Sequence, residues 1–170
     1  MRKALLVLLP VAILALVALA LQAEETAAPA TKFLDPANCY FCQPLTQTEG
    51  LMDNLTFENF KIKNGVVAVT TYKPEWKDKY KAASAEMQRR WQTYDPAKPQ
   101  PMCGLCAAWS KMPMDKLTME SVEFNGGDLG LTTSADSALV AQMHEIADKT
   151  NAAMDELKKM QPPAAPTDLK

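Results

Sequence analysis

The second half of the chain repeats the first. Cys39 and Cys42 fall on Cys103 and Cys106 at an offset of 64. Self-similarity of this kind restricts a fold to copies of one supersecondary unit. At an offset of 62, residues 55–71 (LTFENFKIKNGVVAVTT) fall on residues 117–133 (LTMESVEFNGGDLGLTT), with six identities in 17 positions. The apolar alternation slips phase at one place in both segments: Leu55 and Phe57 give way to Phe60 and Ile62 after Asn59, as Leu117 and Met119 give way to Val122 and Phe124 after Ser121. A slip shared by both copies predicts a β-bulge or a strand that switches faces. The turn signals Asn64-Gly65 and Asn125-Gly126-Gly127 follow, and Val67, Val69 and Thr71 then match Leu129, Leu131 and Thr133. Each copy therefore reads as a β-hairpin.

A helix follows each hairpin. Pro74 stands at an N1 position and Trp76, Tyr80, Ala83, Met87 and Trp91 trace one helical face, the spacing of an amphipathic helix. In the second copy Ser134 reads as the N-cap, and Leu139, Met143, Ile146, Thr150 and Met154 trace the equivalent face at an offset of 63. The unit is C-x-x-C, a short helix or loop, a hairpin and a helix. About 60 residues bury too little apolar surface to stand alone, and two copies packed together solve that. The predicted fold is α+β: a four-stranded, mainly antiparallel sheet with the longer helices on one face, related by a pseudo-twofold. Such an axis would set the two C-x-x-C segments in equivalent positions, either facing each other or at opposite ends.

The boundaries follow from this unit. Arg2 and Lys3 precede an apolar run over residues 4–21, and Ala18, Ala20 and Ala23 offer a cleavage site before Glu24. Residues 1–23 thus read as a signal peptide or an N-terminal anchor, which predicts export to the periplasm or the cell exterior. Residues 24–34 read as a flexible linker, 35–160 as one duplicated domain (repeat one 35–93, repeat two 101–157, with a Pro-rich joint at 94–102), and 161–170 as a disordered tail. Loss of Arg2 and Lys3 with the signal leaves 16 basic against 20 acidic residues. That balance argues against a nucleic-acid partner, and a membrane partner is expected only if the first segment is retained.

Cysteines three apart present both sulfurs on one side of a turn, within reach of one ion or of each other. Four thiolates from two such pairs, Cys39, Cys42, Cys103 and Cys106, suit a tetrahedral Zn²⁺ site or a softer ion such as Cu(I). Thiol-disulfide exchange is the second chemistry, although no βαβ pattern precedes either pair. Haem attachment needs histidine after the second cysteine, and Gln43 and Ala107 stand there. Structural disulfides are the third reading, that of a stapled interaction module. In the entropy model a four-residue loop stabilises by only about 1.9 kcal/mol, whereas a 65-residue cross-repeat loop gives roughly 4.3 kcal/mol.

Ten methionines, nine of them beyond Met1, add thioether sulfur. Met52, Met102, Met112 and Met114 lie near the cysteine pairs in sequence and are candidate auxiliary soft-metal ligands; Met87, Met119, Met143 and Met154 occupy expected core positions, where methionine is a flexible filler. His144, the single histidine, falls beside Met143 at the edge of its helix face. The charge runs at 77–81 and 88–90 read as solvated helix faces. No nucleophile–base constellation or phosphate loop is present, so catalysis other than thiol redox is not expected. The reading is an exported, non-catalytic metal-binding protein whose partners are a metal ion and an envelope protein.

Overall fold

The computed structural model describes residues 32–160; the segments read as a signal and as a C-terminal tail, and residues 24–31 of the expected linker, lie outside them. The element order is α1 (Gln43–Gln47), β1 (Leu55–Ile62), β2 (Gly65–Tyr72), α2 (Lys77–Gln92), α3 (Gly104–Ser110), β3 (Thr118–Phe124), β4 (Gly127–Thr133) and α4 (Ser137–Met160). Single 3₁₀ turns at Met52–Asn54 and Met114–Lys116 lead into the two hairpins, and a third at Pro74–Trp76 leads into α2. The four strands form one antiparallel sheet in the order β1-β2-β4-β3. This is the α+β class expected.

The two hairpins meet through their inner strands, and the register is reciprocal. Gly65 opposes Thr133 while Thr71 opposes Gly127, with Ala68 opposite Gly130 between them. The Ser134 N–H donates to the Asn64 carbonyl and the Tyr72 N–H to the Gly126 carbonyl, both at 2.9 Å. The offset of 62 carries the Gly65–Thr133 pair onto Gly127–Thr71, and the Asn64–Ser134 bond onto Gly126–Tyr72.

One expected turn shifts by a residue. Ile62 pairs with Gly65, so Lys63 and Asn64 make the first turn and Gly65 lies inside β2. Its role is close approach: a Cβ there would come within 1.9 Å of the Thr132 carbonyl oxygen, and one on Gly127 within 2.2 Å of the Thr70 carbonyl oxygen. At the second turn Gly126 takes φ +95°, a conformation that favours glycine. Gly65→Ala and Gly127→Ala are each expected to cost about 3 kcal/mol, because backbone of the central ladder must move to admit the methyl. Urea denaturation should show both midpoints falling by similar amounts, and a loss under about 0.5 kcal/mol in either would contradict this account of the ladder.

Both ladders run without interruption from Leu55↔Tyr72 to Ile62↔Gly65 and from Thr118↔Thr133 to Phe124↔Gly127, which corrects the expected bulge. The phase slip is a change in which face is apolar. Leu55 and Phe57 share the helix-side face with Asn59 and Lys61, whereas Phe60 and Ile62 join Val67, Val69, Leu129 and Leu131 on the opposite face. Asn59 is polar because α4 passes over it. The Asn151 side chain accepts from the Asn59 N–H at 2.9 Å and donates to its carbonyl at 2.8 Å. These contacts satisfy backbone groups on an edge strand, where unpaired groups otherwise invite aggregation.

α2 and α4 both pack on the helix-side face. Tyr80 and Ala83 join Leu55 and Tyr72 in one apolar cluster, and Leu139, Met143 and Ala147 join Val66 and Met112 in another. The expected inward residues of α4, namely Leu139, Met143, Ile146, Thr150 and Met154, are all buried. Its cap differs from expectation. The Asp136 carboxylate accepts from the Ala138 N–H at 2.9 Å and the Asp136 carbonyl from the Val140 N–H at 3.0 Å, which is the N-cap pattern. Ser134 instead accepts from the Asp136 N–H at 3.1 Å and donates to the Lys116 carbonyl at 2.9 Å; the second partner lies 18 residues upstream and is invisible to local capping rules. Pro74 lies in the 3₁₀ turn before α2 and not in its first turn.

Candidate metal centre

The two cysteine pairs reach one place by different local geometry. In the first, the Cys39 carbonyl accepts from the N–H groups of Cys42 (3.1 Å) and Gln43 (2.9 Å), a tight turn that runs into α1, where Pro44 falls in the first turn. In the second, extended Cys103 (ψ 166°) caps α3 and its carbonyl accepts from the Ala107 N–H at 3.0 Å. The first N–H groups of α3 have no intrahelical partner. Those of Gly104 and Leu105 donate to the carbonyls of Lys32 (3.2 Å) and Phe33 (2.8 Å), so the end of the linker expected at 24–34 is tied to this helix. The Tyr40 N–H donates to the Pro101 carbonyl at 2.9 Å and joins the two cysteine segments directly.

The result is a cluster of four thiols. The sulfurs of Cys39, Cys42, Cys103 and Cys106 all lie within 4.8 Å of one another, and no cysteine is more than 6% exposed. Across the segments Cys42 and Cys106 stand at 3.4 Å, well beyond a disulfide bond of about 2.05 Å, and all four cysteines are free. Four sulfurs about 2.3 Å from a central ion form a tetrahedron with edges of roughly 3.8 Å, and this set is close to that size. The cluster could bind a metal ion.

An aromatic wall encloses it. Phe41, between the first two cysteines and fully buried, stacks on Trp91 of α2 with ring centroids 3.9 Å apart and planes at 17°, and meets Tyr94 edge-on at 5.3 Å. Arg90 donates to the Tyr40 carbonyl, lies over the Tyr40 ring at 4.7 Å and pairs with Glu86 at 2.9 Å. Its side chain is only 12% exposed, so the reading of 88–90 as a solvated face is corrected at Arg90. A guanidinium above an aromatic ring keeps its charge while covering apolar surface. Neither Phe41 nor Arg90 stood out in the sequence; an aromatic residue inside a C-x-x-C was the available signal.

Crowding splits the four thiols into two kinds. Hydrogen bonds from the Cys103 thiol and then from Cys106 and Cys42 hold Cys39 far below the ordinary thiol range. Cys103 is lowered to about 6, chiefly by the Cys106 thiol. Cys42 and Cys106 are pushed up by the sulfurs beside them, Cys103 first in each case, and by burial. These directions predict that the metal-free cluster keeps two protons, on Cys42 and Cys106, near neutral pH. Since ligands must be thiolates, binding expels those two protons above pH 6, and affinity should rise about a hundredfold per pH unit there. Below pH 6 Cys103 also takes a proton, so the dependence should steepen to roughly a thousandfold per unit. Competition with a chelating dye across pH 5–8 checks both slopes, and a flat profile would contradict the four-thiolate set.

Of the four candidate methionines, one adjoins the cysteines and three do not. Met102 packs beside the cysteine cluster. Met52 packs with Leu51, Leu55 and Tyr80, Met112 is buried with Val66 and Met143, and Met114 is 55% exposed. His144 directs Nε2 to the Ile62 and Gly65 carbonyls at 2.9 and 3.1 Å, where it braces the first hairpin turn. Among the described residues no helix is long and apolar enough to cross a membrane. No protein-family model, curated protein or solved structure matches the chain.

Proposed function

We propose that this is an exported, non-catalytic metal-binding protein that holds one ion between Cys39, Cys42, Cys103 and Cys106. The observation that carries the proposal is the convergence of four buried sulfurs, from segments 64 residues apart, within 4.8 Å. Zn²⁺ is the first candidate, because a closed four-thiolate set suits a structural zinc ion and Met52, Met112 and Met114 stand in other surroundings; Cu(I) is the second. A bound ion would neutralise the thiolates and cross-link the two cysteine segments. The protein supplies deprotonated sulfur, shielding from water and the flanking aromatic packing. The reciprocal strand register supports the related reading that residues 35–93 and 101–157 are copies of one unit.

Thiol-disulfide exchange is the competing reading, favoured by the lowered Cys103 thiol. Burial of all four sulfurs weighs against it, since attack on a substrate disulfide needs an accessible thiolate. A disulfide-stapled module would need sulfur pairs at bonding distance, which the four free cysteines do not have.

Native mass spectrometry of protein purified without added metal or reductant separates the three. A native mass heavier by one ion, reverting to the fully reduced mass on denaturation, is the expected result and identifies the ion. A metal-free chain about 4 Da lighter than the reduced mass would mean two disulfides. A metal-free reduced protein with cysteine-dependent turnover of a disulfide substrate would establish exchange.

A further inference from the structure

The space between the sheet and the two long helices holds a second feature, one that does not rest on the ion. α4 is pinned over the β1 edge by Asn151 on Asn59 and by Lys61 on Asp148 at 2.8 Å. α2 is pinned toward the β3 edge by Lys77 and Lys81 on Glu123, at 2.7 and 2.5 Å. The helices thus grip opposite edges of the sheet, and the middle of its helix-side face carries the small pair Ala68 and Gly130. A Cβ added at Gly130 would meet nothing nearer than the Ala68 carbonyl oxygen at 4.0 Å, and Ala68 is exposed although it lies on the covered face. The result is a cavity of about 350 Å³, lined mostly by apolar side chains, including Met52, Met87, Met119, Met143 and Met154.

A groove of about 850 Å³ adjoins the cavity, and Leu34, Pro36, Met52 and Met154 line both. Lys32, Lys158 and Lys159 stand along that groove. Lys158 approaches Asp155 only at 3.9 Å, and Lys32 and Lys159 make no ion pair among the described residues. The groove also holds Asp35, which accepts both bonds from the Asn38 amide, and Glu156. An apolar chamber that opens on cationic side chains suits a molecule with an apolar tail and an anionic head. A cavity of about 150 Å³ takes one benzene, so 350 Å³ takes roughly a dozen carbon atoms. Methionine walls adapt to a flexible chain, and the volume lies within the range of small-ligand sites.

We infer that this interlayer cavity binds a single-chain anionic amphiphile of the fatty-acid type, tail between α2, α4 and the sheet and head among Lys32, Lys158 and Lys159. Calorimetric titration of the purified protein with dodecanoate, below its micellar concentration, tests it. The expected result is saturable binding at one site, weakened at least tenfold in Gly130→Leu, which fills the chamber, with the cysteine site unchanged. Should Gly130→Leu fold poorly, Ala68→Leu fills the same space. The triple change Lys32→Ala, Lys158→Ala, Lys159→Ala should weaken dodecanoate about tenfold and leave dodecanol unaffected. Methyl NMR should show shifts at Met87, Met143 and Met154 and none at exposed Met114. Absence of saturable binding, equal affinity in the chamber-filled variant, or shifts confined to residues outside the cavity would each overturn the inference.

Discussion

Removing the ion by chelation, or replacing Cys42 with Ser, is expected to lower the melting temperature by about 20 °C or more. Structural zinc contributes on the order of 10 kcal/mol of apparent folding free energy, comparable to the whole net stability of a domain this size. The effect is large here because the ion would couple two segments otherwise joined by the Tyr40 N–H to Pro101 carbonyl bond and by the packing of Tyr40 and Phe41 with Met102 and Leu105 around the sulfurs. Without it, four sulfurs remain packed within 4.8 Å of one another in a buried site. Differential scanning fluorimetry with and without chelator reads the shift, and re-addition of Zn²⁺ should restore it in the parent chain but only partly in Cys42→Ser. Superimposable melting curves would end the structural-metal reading. Loss of the 35–52 and 101–112 regions alone, seen as selective hydrogen exchange with the sheet still protected, would show that the ion stabilises one end of the domain rather than all of it.

Phe41→Ala carries the second large effect. Phe41 is fully buried and stacked on Trp91, and no small side chain can fill that space. Large-to-small changes of this type cost about 3–5 kcal/mol, which corresponds to roughly 10–15 °C in melting temperature for a domain of this length. Phe41→Leu keeps most of the apolar burial and loses the ring stacking, so it should cost only about 1 kcal/mol. The pair of variants separates packing from metal binding. If Phe41 acts by holding the first cysteine turn against α2, the alanine variant should also release metal at lower chelator concentration, while the leucine variant should not. An alanine variant as stable as the parent would mean that the wall does not support the centre.

The sequence legibly encoded what depends on neighbours close along the chain. Alternation marked all four strands, the 3.6-residue spacing marked Tyr80, Ala83 and Met87 on α2 and the buried stripe from Leu139 to Met154 on α4, and from these the α+β class followed. Cysteine spacing marked the chemistry. Where local rules failed, a distant partner had displaced the local one. Gly65 resembled a turn glycine, yet its lack of a side chain serves the Thr132 carbonyl on the far hairpin. Asn59 resembled a bulge or a face switch in the strand because its partner, Asn151, is 92 residues away. Arg90 resembled a solvent-facing charge until the first cysteine turn was packed beneath it.

The meeting of the two C-x-x-C pairs belongs to the same class. The repetition read in the sequence would place the pairs equivalently, but equivalence is satisfied at one shared point or at two opposite ends. Only the tertiary structure decided between them. The reciprocal β2–β4 register joins the two halves, and the Tyr40–Pro101 bond ties the cysteine segments at one end. Spacing along a chain determines which sulfurs share a turn. Which turns share a coordination sphere is set by the packing of elements some 60 residues apart, where the loss of chain entropy must be offset by contacts that no local pattern specifies.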